Sequence, residues 1–530
     1  MPIRMTDDED KDGNKKSKGK GSFSFSSLPL LGALFSLVFK YPKLMIPLIL
    51  LLGFLSLPTL CNKEDTSYSD PTSTENETEE TLLRPKGAIF DAEKYASAKT
   101  YQPLEEGFGN KIPKAISLRQ YAPEPRNQGS QGSCVGWAVS YAARTILEAK
   151  ATGLNPNSVA FSPAHPFNQN TSAKCDGSYP SEVLEDLKKE GALPFAEFPY
   201  NETTCRTKLN SNQRERAKVF RVEGYQRLTK DGDNYNTDIN SVKQYLASGS
   251  AVIITMDVGG TFNQLSSPDW IPSNNDYKKV KQFQNSGKRD RDWGPHAMTI
   301  IAYDDDRNGG SVQIMNSWGS EWAEKGTFWF RYSDFDTFVL EAFSIYPSVS
   351  AKNQESKNLR FGLIDNSSKD FIPLKKLTEM HYETNSPIKV GTRFKVSIEN
   401  DSPVFVYIFG KEVDGSSYVL FPYNDKHSPY CGPNGVRVFP RKQSLEADKI
   451  GKRDTIAVVF SYQNIDYKDL NSLINKTDGI DLGKRLQTVL ATRLSSTTKF
   501  SSNGKFIELN SKEEDSNKIH LMIIDFDKFE

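Results

Sequence analysis

Cysteine and histidine are both scarce in this chain, which has only five of each among 530 residues. Five cysteines in so long a chain exclude a small protein held together mainly by disulfides. No two of them have the short spacing of zinc ligands, and no histidine-rich tract is present. Each thiol and each imidazole can therefore be weighed singly as a candidate for chemistry.

The chain also lacks a net charge, because 67 basic side chains balance 67 acidic ones. A protein that coats nucleic acid needs clustered positive charge, so we predict no nucleic-acid partner. Hydrophobic residues make up 37% of the chain and aromatic residues 11%, which is enough for real cores. At about 150 residues per domain, the length predicts three or four structural units.

Charge is absent from one long run near the N-terminus, residues 44–60. At 1.5 Å rise per residue this run spans roughly 26 Å, the short end of a membrane-crossing helix. We predict a transmembrane helix at residues 44–61. The uncharged run 28–39 is too short for a second span, and we expect it to lie at the membrane interface or to extend the helix.

The charges around this run predict its orientation. Residues 1–43 are basic and begin with a polar stretch that cannot form a core, so we predict a disordered cytoplasmic tail. After the run, Lys63 stands almost alone among acidic residues. The positive-inside rule then places everything after Cys61 in the periplasm or outside the cell, held by a single-pass anchor. Residues 62–85, rich in Ser, Thr and Glu, are predicted to form a flexible linker.

Cys134 is the candidate nucleophile. The Gly/Ser-rich loop RNQGSQGS at residues 126–133 leads straight into it, and the spacing of apolar residues predicts a helix over 135–150. Cys134 is therefore expected at a helix N-terminus, where the macrodipole favours the thiolate. A nucleophilic thiolate also needs a base and a group that polarises the carbonyl.

Three stretches together resemble the papain-like cysteine peptidase family. They are RNQGSQGSCVGWA (126–138), PHAMTIIAY (295–303) and NSWGSEWAEKG (316–326). Gln128 precedes Cys134 by six positions, as in that family, although the Trp-Ala pair comes two residues later than usual. Cys134 and His296 are 162 positions apart, which exceeds the usual separation, so we predict an insertion at 259–292, a polar stretch with little periodicity.

The resemblance implies a role for each residue. Cys134 attacks the scissile carbonyl, His296 moves the proton, and Asn316 holds the imidazole in the productive tautomer. Trp318 covers the Asn–His pair. Gln128 and the Cys134 backbone N–H form an oxyanion hole. The implied reaction is hydrolysis of a peptide or protein substrate through an acyl-enzyme, with no metal or organic cofactor.

The same resemblance implies where substrate binds. The backbone of an extended substrate runs beside Gly177 and Ser178. Tyr179 and Pro180 help to wall the main specificity subsite, and Ala297 is a further substrate-binding residue.

Two further cysteines are left with two alternatives. In relatives, the cysteine that corresponds to Cys175 bridges to one upstream of the nucleophile, but Gln131 occupies that place here. The usual partner of Cys205 is also missing. The two either pair with each other, which an oxidising compartment permits, or stay as free thiols.

The resemblance also implies the domain organisation. Residues 112–349 are expected to form an α+β fold of two subdomains, one helical and one β-barrel-like. Before it, residues 86–111 are a candidate short pro-segment, of which 89–101 is expected to lie in the cleft. Residues 358–530 resemble a β-rich bacterial domain of unknown function, predicted to bind a protein or envelope ligand. Its apolar runs predict strands at 394–398, 404–409, 455–460 and 519–524, and its helical spacing predicts helices at 466–474 and 482–494.

Two alternatives to a bacterial, membrane-anchored peptidase keep the same fold. An inactive papain-like scaffold would bind its target without cutting it. An acyltransferase would use the same thioester to modify envelope components. The sequence does not separate hydrolase from acyltransferase, because both need Cys134, His296 and Asn316.

Overall fold

The computed structural model describes residues 3–7, 84–105, 112–229, 235–346, 357–433, 435–496, 499–511 and 517–530. The predicted transmembrane helix at 44–61 lies outside these residues, as does almost all of the predicted linker. Within the described ranges, no helix is both long and apolar enough to cross a bilayer. All described residues belong to one compact unit.

Strand β1 (Ile3–Asp7) contradicts the prediction that residues 1–43 are disordered throughout. It pairs antiparallel with a strand near the other end of the chain, with Ile3 opposite Ala447. Ile3 is only 1% exposed and, with Met5, faces an apolar core, because alternate residues of a strand share one face. A chain that crosses a bilayer once at 44–61 would separate these two strands. This pairing and the single-pass topology therefore cannot both hold.

A seven-stranded antiparallel sheet organises residues 112–346, the first domain. The strands are β2 (Ala115–Ser117), β3 (Gly224–Arg227), β4 (Val252–Val258), β5 (Gly294–Asp304), β6 (Ser311–Met315), β7 (Thr327–Arg331) and β8 (Val339–Tyr346). Their order in the sheet is β3-β8-β4-β5-β6-β7, with β2 paired to β5. The central strands β4 and β5 are buried almost throughout, as their long apolar runs require.

The predicted helix at 135–150 is present but interrupted. It begins as α2 (Cys134–Gly136), continues as a π-helical segment (Trp137–Arg144), and ends as α3 (Thr145–Thr152) before Gly153. A π turn holds more residues than an α turn. The segment begins at Trp137, the first residue of the Trp-Ala pair that is displaced by two positions from the family pattern.

The segment 259–292 shows little periodicity in sequence, but its second half contains helix α8 (Asn274–Ser286). This helix begins with a capping box between Ser273 and Asp276 and buries Val280 and Phe283. Helix α1 (Ala92–Ser97) precedes the first domain, and the other helices of that domain are α4 (Ala164–Asn170), α5 (Pro180–Lys189), α6 (Ser211–Ala217), α7 (Ile239–Ser248) and α9 (Phe335–Phe338).

Residues 357–530, the accessory domain, supply most strands of two eight-stranded sheets. The strands are β9 (Lys357–Asp365), β10 (Phe371–Ile372), β11 (Leu374–Lys376), β12 (His381–Thr384), β13 (Ile388–Lys389), β14 (Arg393–Asn400), β15 (Val404–Lys411), β16 (Ser417–Phe421), β17 (Tyr430–Cys431), β18 (Gly435–Phe439), β19 (Gln443–Ala447), β20 (Arg453–Ser461), β21 (Lys499–Ser502), β22 (Ile507–Ser511) and β23 (Ile519–Phe529). One sheet has the order β1-β19-β14-β9-β22-β21, with β10 paired to β9 and β18 paired to β14. The other has the order β11-β12-β23-β20-β15-β16, with β13 paired to β23 and β17 paired to β15.

The predicted elements of the accessory domain are all present. The four predicted strands fall within β14, β15, β20 and β23, and the two predicted helices are α10 (Tyr467–Lys476) and α11 (Leu482–Leu490). One apolar core lies between the two sheets. A second core is shared with the first domain, and there the rings of Tyr346 and Tyr430 stack with centroids 3.9 Å apart. The two domains are thus joined by buried apolar surface.

Candidate active site

Cys134 lies at the first turn of α2, directly after the Gly/Ser-rich loop. Its side chain is fully buried, and the Ala297 backbone N–H donates to its sulfur at 3.4 Å. The loop is held from behind by Tyr200, whose hydroxyl donates to the Gln128 carbonyl at 2.6 Å and lies 2.7 Å from the Ser133 hydroxyl. These contacts give the thiol a defined position beside strand β5.

His296 and Asn316 meet because β5 and β6 are neighbours in the sheet. His296 is the third residue of β5 and begins its continuously buried stretch, and Asn316 directly follows β6. The His296 Nε2–H donates to Asn316 Oδ1 at 2.7 Å, and the Trp318 ring stacks on the imidazole with centroids 4.7 Å apart. With the proton on Nε2, the lone pair of Nδ1 is left for the thiol. Nδ1 makes no hydrogen bond to any described residue.

Burial controls the protonation of both groups. It raises the pKa of the Cys134 thiol to about 11, against the opposing effect of backbone N–H groups at Ala297, Val135, Gly87 and Ala88. It also lowers the pKa of His296 to about 3. In this conformation, thiol and imidazole are therefore both neutral at pH 7.

Gln128, in the loop before Cys134, has its side chain held by two hydrogen bonds. Its Oε1 accepts from the Ser317 hydroxyl at 2.7 Å, and its amide N–H₂ donates to the Gln131 carbonyl at 2.8 Å. The two residues are also joined through their backbones, since the Gln128 N–H donates to the Ser317 carbonyl at 2.8 Å. An amide has two N–H donors, so one remains for a ligand in the site.

Residues 84–105, which we name the strap, begin inside this site. The Ser178 N–H donates to the Gly87 carbonyl at 2.9 Å, and the Ile89 N–H donates to the Ser178 carbonyl at 3.0 Å. Ala88 donates to the carbonyl of Pro295, the residue before the histidine, at 3.3 Å. The strap thus makes backbone contacts at the surface that was predicted to bind substrate.

Close backbone approach explains the glycines here. A Cβ added at Gly87 would lie 2.0 Å from the Gly132 carbonyl oxygen, and one at Gly177 would lie 2.6 Å from the Gly87 oxygen. Gly177 also has φ +153°, which disfavours any side chain. Strap and cleft therefore fit together only because these positions have no side chain.

Tyr179, another predicted substrate-binding residue, also contacts the strap, because Lys94 lies over its ring at 3.9 Å. Pro180 is the first residue of α5. Trp318 contacts the strap directly, because its Nε1–H donates to the Pro85 carbonyl at 3.1 Å. The structure thus brings the predicted site residues to one cleft.

Two predictions about the strap are wrong in detail. The segment in the cleft is 85–89 rather than 89–101, since the residues after it form α1 and then leave the site. The linker predicted to extend to residue 85 ends earlier, because Arg84 and Pro85 contact the first domain. Residues 85–89 are the part of the strap that enters the cleft because the closest contact between the two backbones needs a glycine, and Gly87 supplies it.

Sequence reasoning missed three residues that support the site. Ser317 and Tyr200 position Gln128, as described above. Lys86 donates to the Asp292 carbonyl at 3.0 Å and to Asn263 Oδ1 at 3.3 Å, and burial lowers its pKa to about 8. Ser317 could have been found from its place in the Asn-Ser-Trp-Gly motif; the other two carry no local signal.

Cys175 and Cys205 form a disulfide, the first of the two alternatives that the sequence left open. Cys134 and Cys431 are free and buried. Over the ranges that the structure describes, no three His, Cys, Asp or Glu side chains are arranged to hold a metal ion.

Comparison with known proteins gives two family matches. Residues 112–347 match the papain family of cysteine proteases, and residues 388–464 match a domain of unknown function, DUF4384. Cysteine proteinase 3 of Entamoeba histolytica is 25% identical over 220 residues, which cover 41% of this chain and 62% of that protein. Cathepsin K of Mus musculus is 24% identical over 236 residues, 44% of this chain and 63% of cathepsin K.

Among solved structures, xylellain, a cysteine protease from Xylella fastidiosa, is 19% identical with a TM-score of 0.39 and covers 52% of this chain and 99% of xylellain. The chain thus spans less than two thirds of the length of the two curated relatives. Residues 112–347 belong to the papain family of cysteine proteases, and a DUF4384 domain follows them in the chain.

Proposed function

We propose that this protein is a cysteine peptidase that hydrolyses peptide bonds in peptides or proteins. The observation that carries the proposal is the arrangement of Cys134, His296 and Asn316 around one cleft, with 2.7 Å between His296 Nε2 and Asn316 Oδ1. Family membership of residues 112–347 supports it.

The proposed reaction has two steps. In the first, His296 Nδ1 takes the thiol proton, and the Cys134 sulfur bonds to the scissile carbonyl carbon. The C–N bond then breaks, and the imidazolium returns the proton to the leaving amine. In the second step a water molecule gives a proton to His296 and its oxygen attacks the thioester, which releases the acid and restores the thiol.

Supporting residues stabilise the charges that form. Asn316 Oδ1 keeps the proton on Nε2 and orients the imidazole. Trp318 shields that hydrogen bond from water by stacking on the ring. In this proposal the second amide N–H of Gln128 and the backbone N–H of Cys134 donate to the oxyanion, and each such donor typically contributes about 10²–10³-fold in kcat.

We propose further that this conformation is latent. Residues 85–89 occupy the backbone positions that an extended substrate would use. Burial beneath them leaves Cys134 and His296 neutral, and a neutral thiol is a poor nucleophile. Activity then requires that this part of the strap leave the cleft.

The proposed location is outside the cytoplasm. The Cys175–Cys205 disulfide supports this, because such bonds persist in oxidising compartments. The anchor proposed at 44–61 would hold the protein at a membrane. A single crossing at this anchor and the pairing of β1 with β19 exclude each other, so the cross-linking of residues 6 and 444 described in the Discussion decides between them.

Labelling with an epoxide inhibitor that alkylates papain-type cysteines tests the proposal on the full chain. We expect labelling of Cys134 once the strap is displaced, with none in Cys134→Ala and strongly reduced labelling in His296→Ala. Hydrolysis of a denatured protein substrate should follow the same order. If a strap-displaced protein is neither labelled nor active, the function is not peptidase chemistry, and the inactive binding scaffold is favoured.

A further inference from the structure

The second half of the strap lies between the two domains. Thr100 forms β-bridges to Arg227 of the first domain and to His427 of the accessory domain. We infer that the accessory domain is a latch that holds the strap in the catalytic cleft. This inference rests on the proposed peptidase function, and it gives the accessory domain a role in controlling that site.

Backbone hydrogen bonds make the first part of the latch. The Thr100 N–H donates to the Lys426 carbonyl at 2.6 Å, and the Ser428 N–H donates to the Thr100 carbonyl at 3.0 Å. On the other side, the Tyr101 N–H donates to the Arg227 carbonyl at 3.3 Å. The strap thus acts as an extended strand that bridges both domains, as in peptide recognition by strand addition.

The next residues extend the contact along the accessory domain. Gln102 Nε2 donates to the Ser428 carbonyl at 3.1 Å, and the Gln102 carbonyl accepts from Arg437 Nε at 3.1 Å. The Glu105 N–H donates to the Val436 carbonyl at 2.8 Å. The strap therefore follows the accessory domain over six residues, Thr100 to Glu105.

Burial makes these contacts costly to lose. Arg437 is only 1% exposed, and Tyr101 and Gln102 are also buried. If the strap left, Arg437 Nε would lose its acceptor while the guanidinium stayed in an apolar setting, which is unfavourable unless water replaces the carbonyl. Residues 100–105 are thus part of the domain interface rather than a loose pro-segment.

Helix α1 links the latch to the cleft. Asp91 caps its first turn, and Tyr95 is fixed on strand β8, where its hydroxyl donates to the Ala342 carbonyl at 3.3 Å. Its six residues span about 9 Å, so a short rigid connection separates Ile89 in the cleft from Thr100 in the latch. Loosening the latch therefore frees one end of the element that holds residues 85–89 in place.

Consequently, a change at the interface between the domains is expected to open the active site. The accessory domain needs no contact with Cys134 to do so. It acts only through the strap residues that it binds.

The test compares three variants of the full chain by their rate of Cys134 labelling with the epoxide inhibitor. Thr100→Pro removes the N–H that binds Lys426, whereas Thr100→Ala keeps the N–H and serves as the matched control. Gln102→Leu removes the side-chain bond to Ser428 without changing the backbone. We expect labelling at least ten times faster in Thr100→Pro, several times faster in Gln102→Leu, and unchanged in Thr100→Ala.

A variant that clears the cleft directly separates the possible failures. Gly87→Ala displaces residues 85–89 without touching the latch. If Gly87→Ala is labelled quickly but Thr100→Pro and Gln102→Leu keep the wild-type rate, the strap blocks the site and the latch is wrong. If none of the four is labelled, the proposed peptidase function fails. Urea unfolding of each variant verifies that it folds. If Thr100→Pro does not fold, the labelling rate of Gln102→Leu decides whether the latch holds the strap.

Discussion

Gln128 is the residue whose proposed role in the oxyanion hole depends most on its neighbours. Its side chain is held by Ser317 and by the Gln131 carbonyl, which fixes the direction of its remaining N–H. A donor that is already oriented costs no reorganisation when the oxyanion forms.

We predict that Gln128→Ala lowers kcat by about 10²–10³-fold with little change in KM, because the lost donor acts mainly in the transition state. Gln131→Ala is the matched control, since its side chain binds Asn201 and its backbone carbonyl is retained. Steady-state kinetics on an activated protein measure both. Equal losses in the two variants would contradict a direct role for Gln128.

Glu341 is a second residue with a specific expectation. It is 2% exposed, and burial raises its pKa to about 8 against the hydrogen bond that it accepts from Thr255 at 2.8 Å. Asp91 of the strap pushes the pKa of Glu341 in the same direction as burial, and Tyr95 of the strap is also nearby. At neutral pH the folded protein therefore keeps this carboxyl protonated.

The pH dependence of stability follows from that shift. Between the ordinary pKa of 4.5 and about 8, the folded state binds more protons at Glu341 than the unfolded state does. The free energy of unfolding therefore falls as pH rises through this window. We expect Glu341→Gln to remove this slope, measured by urea unfolding at pH 5 and pH 8. A variant as pH-dependent as the wild type would show that other groups cause the slope.

The proposed control of the site belongs to the elements of the strap. Residues 85–89 make backbone contacts in the cleft, α1 follows them, and residues 100–105 contact the accessory domain. The closest approach is at Gly87, where an added Cβ would lie 2.0 Å from a backbone oxygen that cannot move aside like a flexible side chain.

We predict that Gly87→Ala raises basal peptidase activity and Cys134 labelling at least tenfold, because the methyl group forces the strap out of the cleft. Glu93→Ala, at an exposed position of the same strap, is the control and should behave like the wild type. An unchanged labelling rate in Gly87→Ala would mean that residues 85–89 do not limit access to the thiol.

The predicted and the observed secondary structure agree best where the sequence has a long, continuous apolar run. The strands at 404–409 and 455–460 are continuous apolar runs, and they are the buried β15 and β20. The π segment of the nucleophile helix was not predicted, because a π turn differs from an α turn by one hydrogen-bond step and leaves the apolar spacing similar. Helix α8 was missed because few of its residues are apolar.

At the scale of the whole molecule, the pairing of strand β1 makes the proposed single-pass topology testable. Thr6 lies opposite Ser444 in the antiparallel pair. Directly opposed residues in such a pair have Cα atoms about 4.5–5.5 Å apart, within the range that a disulfide spans.

We predict that the double variant Thr6→Cys, Ser444→Cys forms a disulfide in intact cells, identified by mass spectrometry of the linked peptides. Thr6→Cys with Ser502→Cys is the control, because β21 lies at the opposite edge of the same sheet. Failure to link Thr6 and Ser444 while the protein stays membrane-bound would support the single-pass topology and exclude β1 pairing.

The sequence by itself singled out Cys134, His296 and Asn316 as the candidates for nucleophile, base and orienting amide. Those residue types are scarce or stand in long specific motifs, so few assignments were open. It also determined the β-rich accessory domain, because strand patterns are local.

Only the tertiary structure decided what surrounds these residues. Tyr200 and Ser317 reach Gln128 across 72 and 189 residues of sequence, and no local pattern predicts such contacts. The choice between a disulfide and two free thiols depended on bringing Cys175 and Cys205 together. The position of the strap, pairing with Ser178 at one end and Lys426 at the other, arises from backbone hydrogen bonds, which any sequence can form and which composition therefore does not reveal.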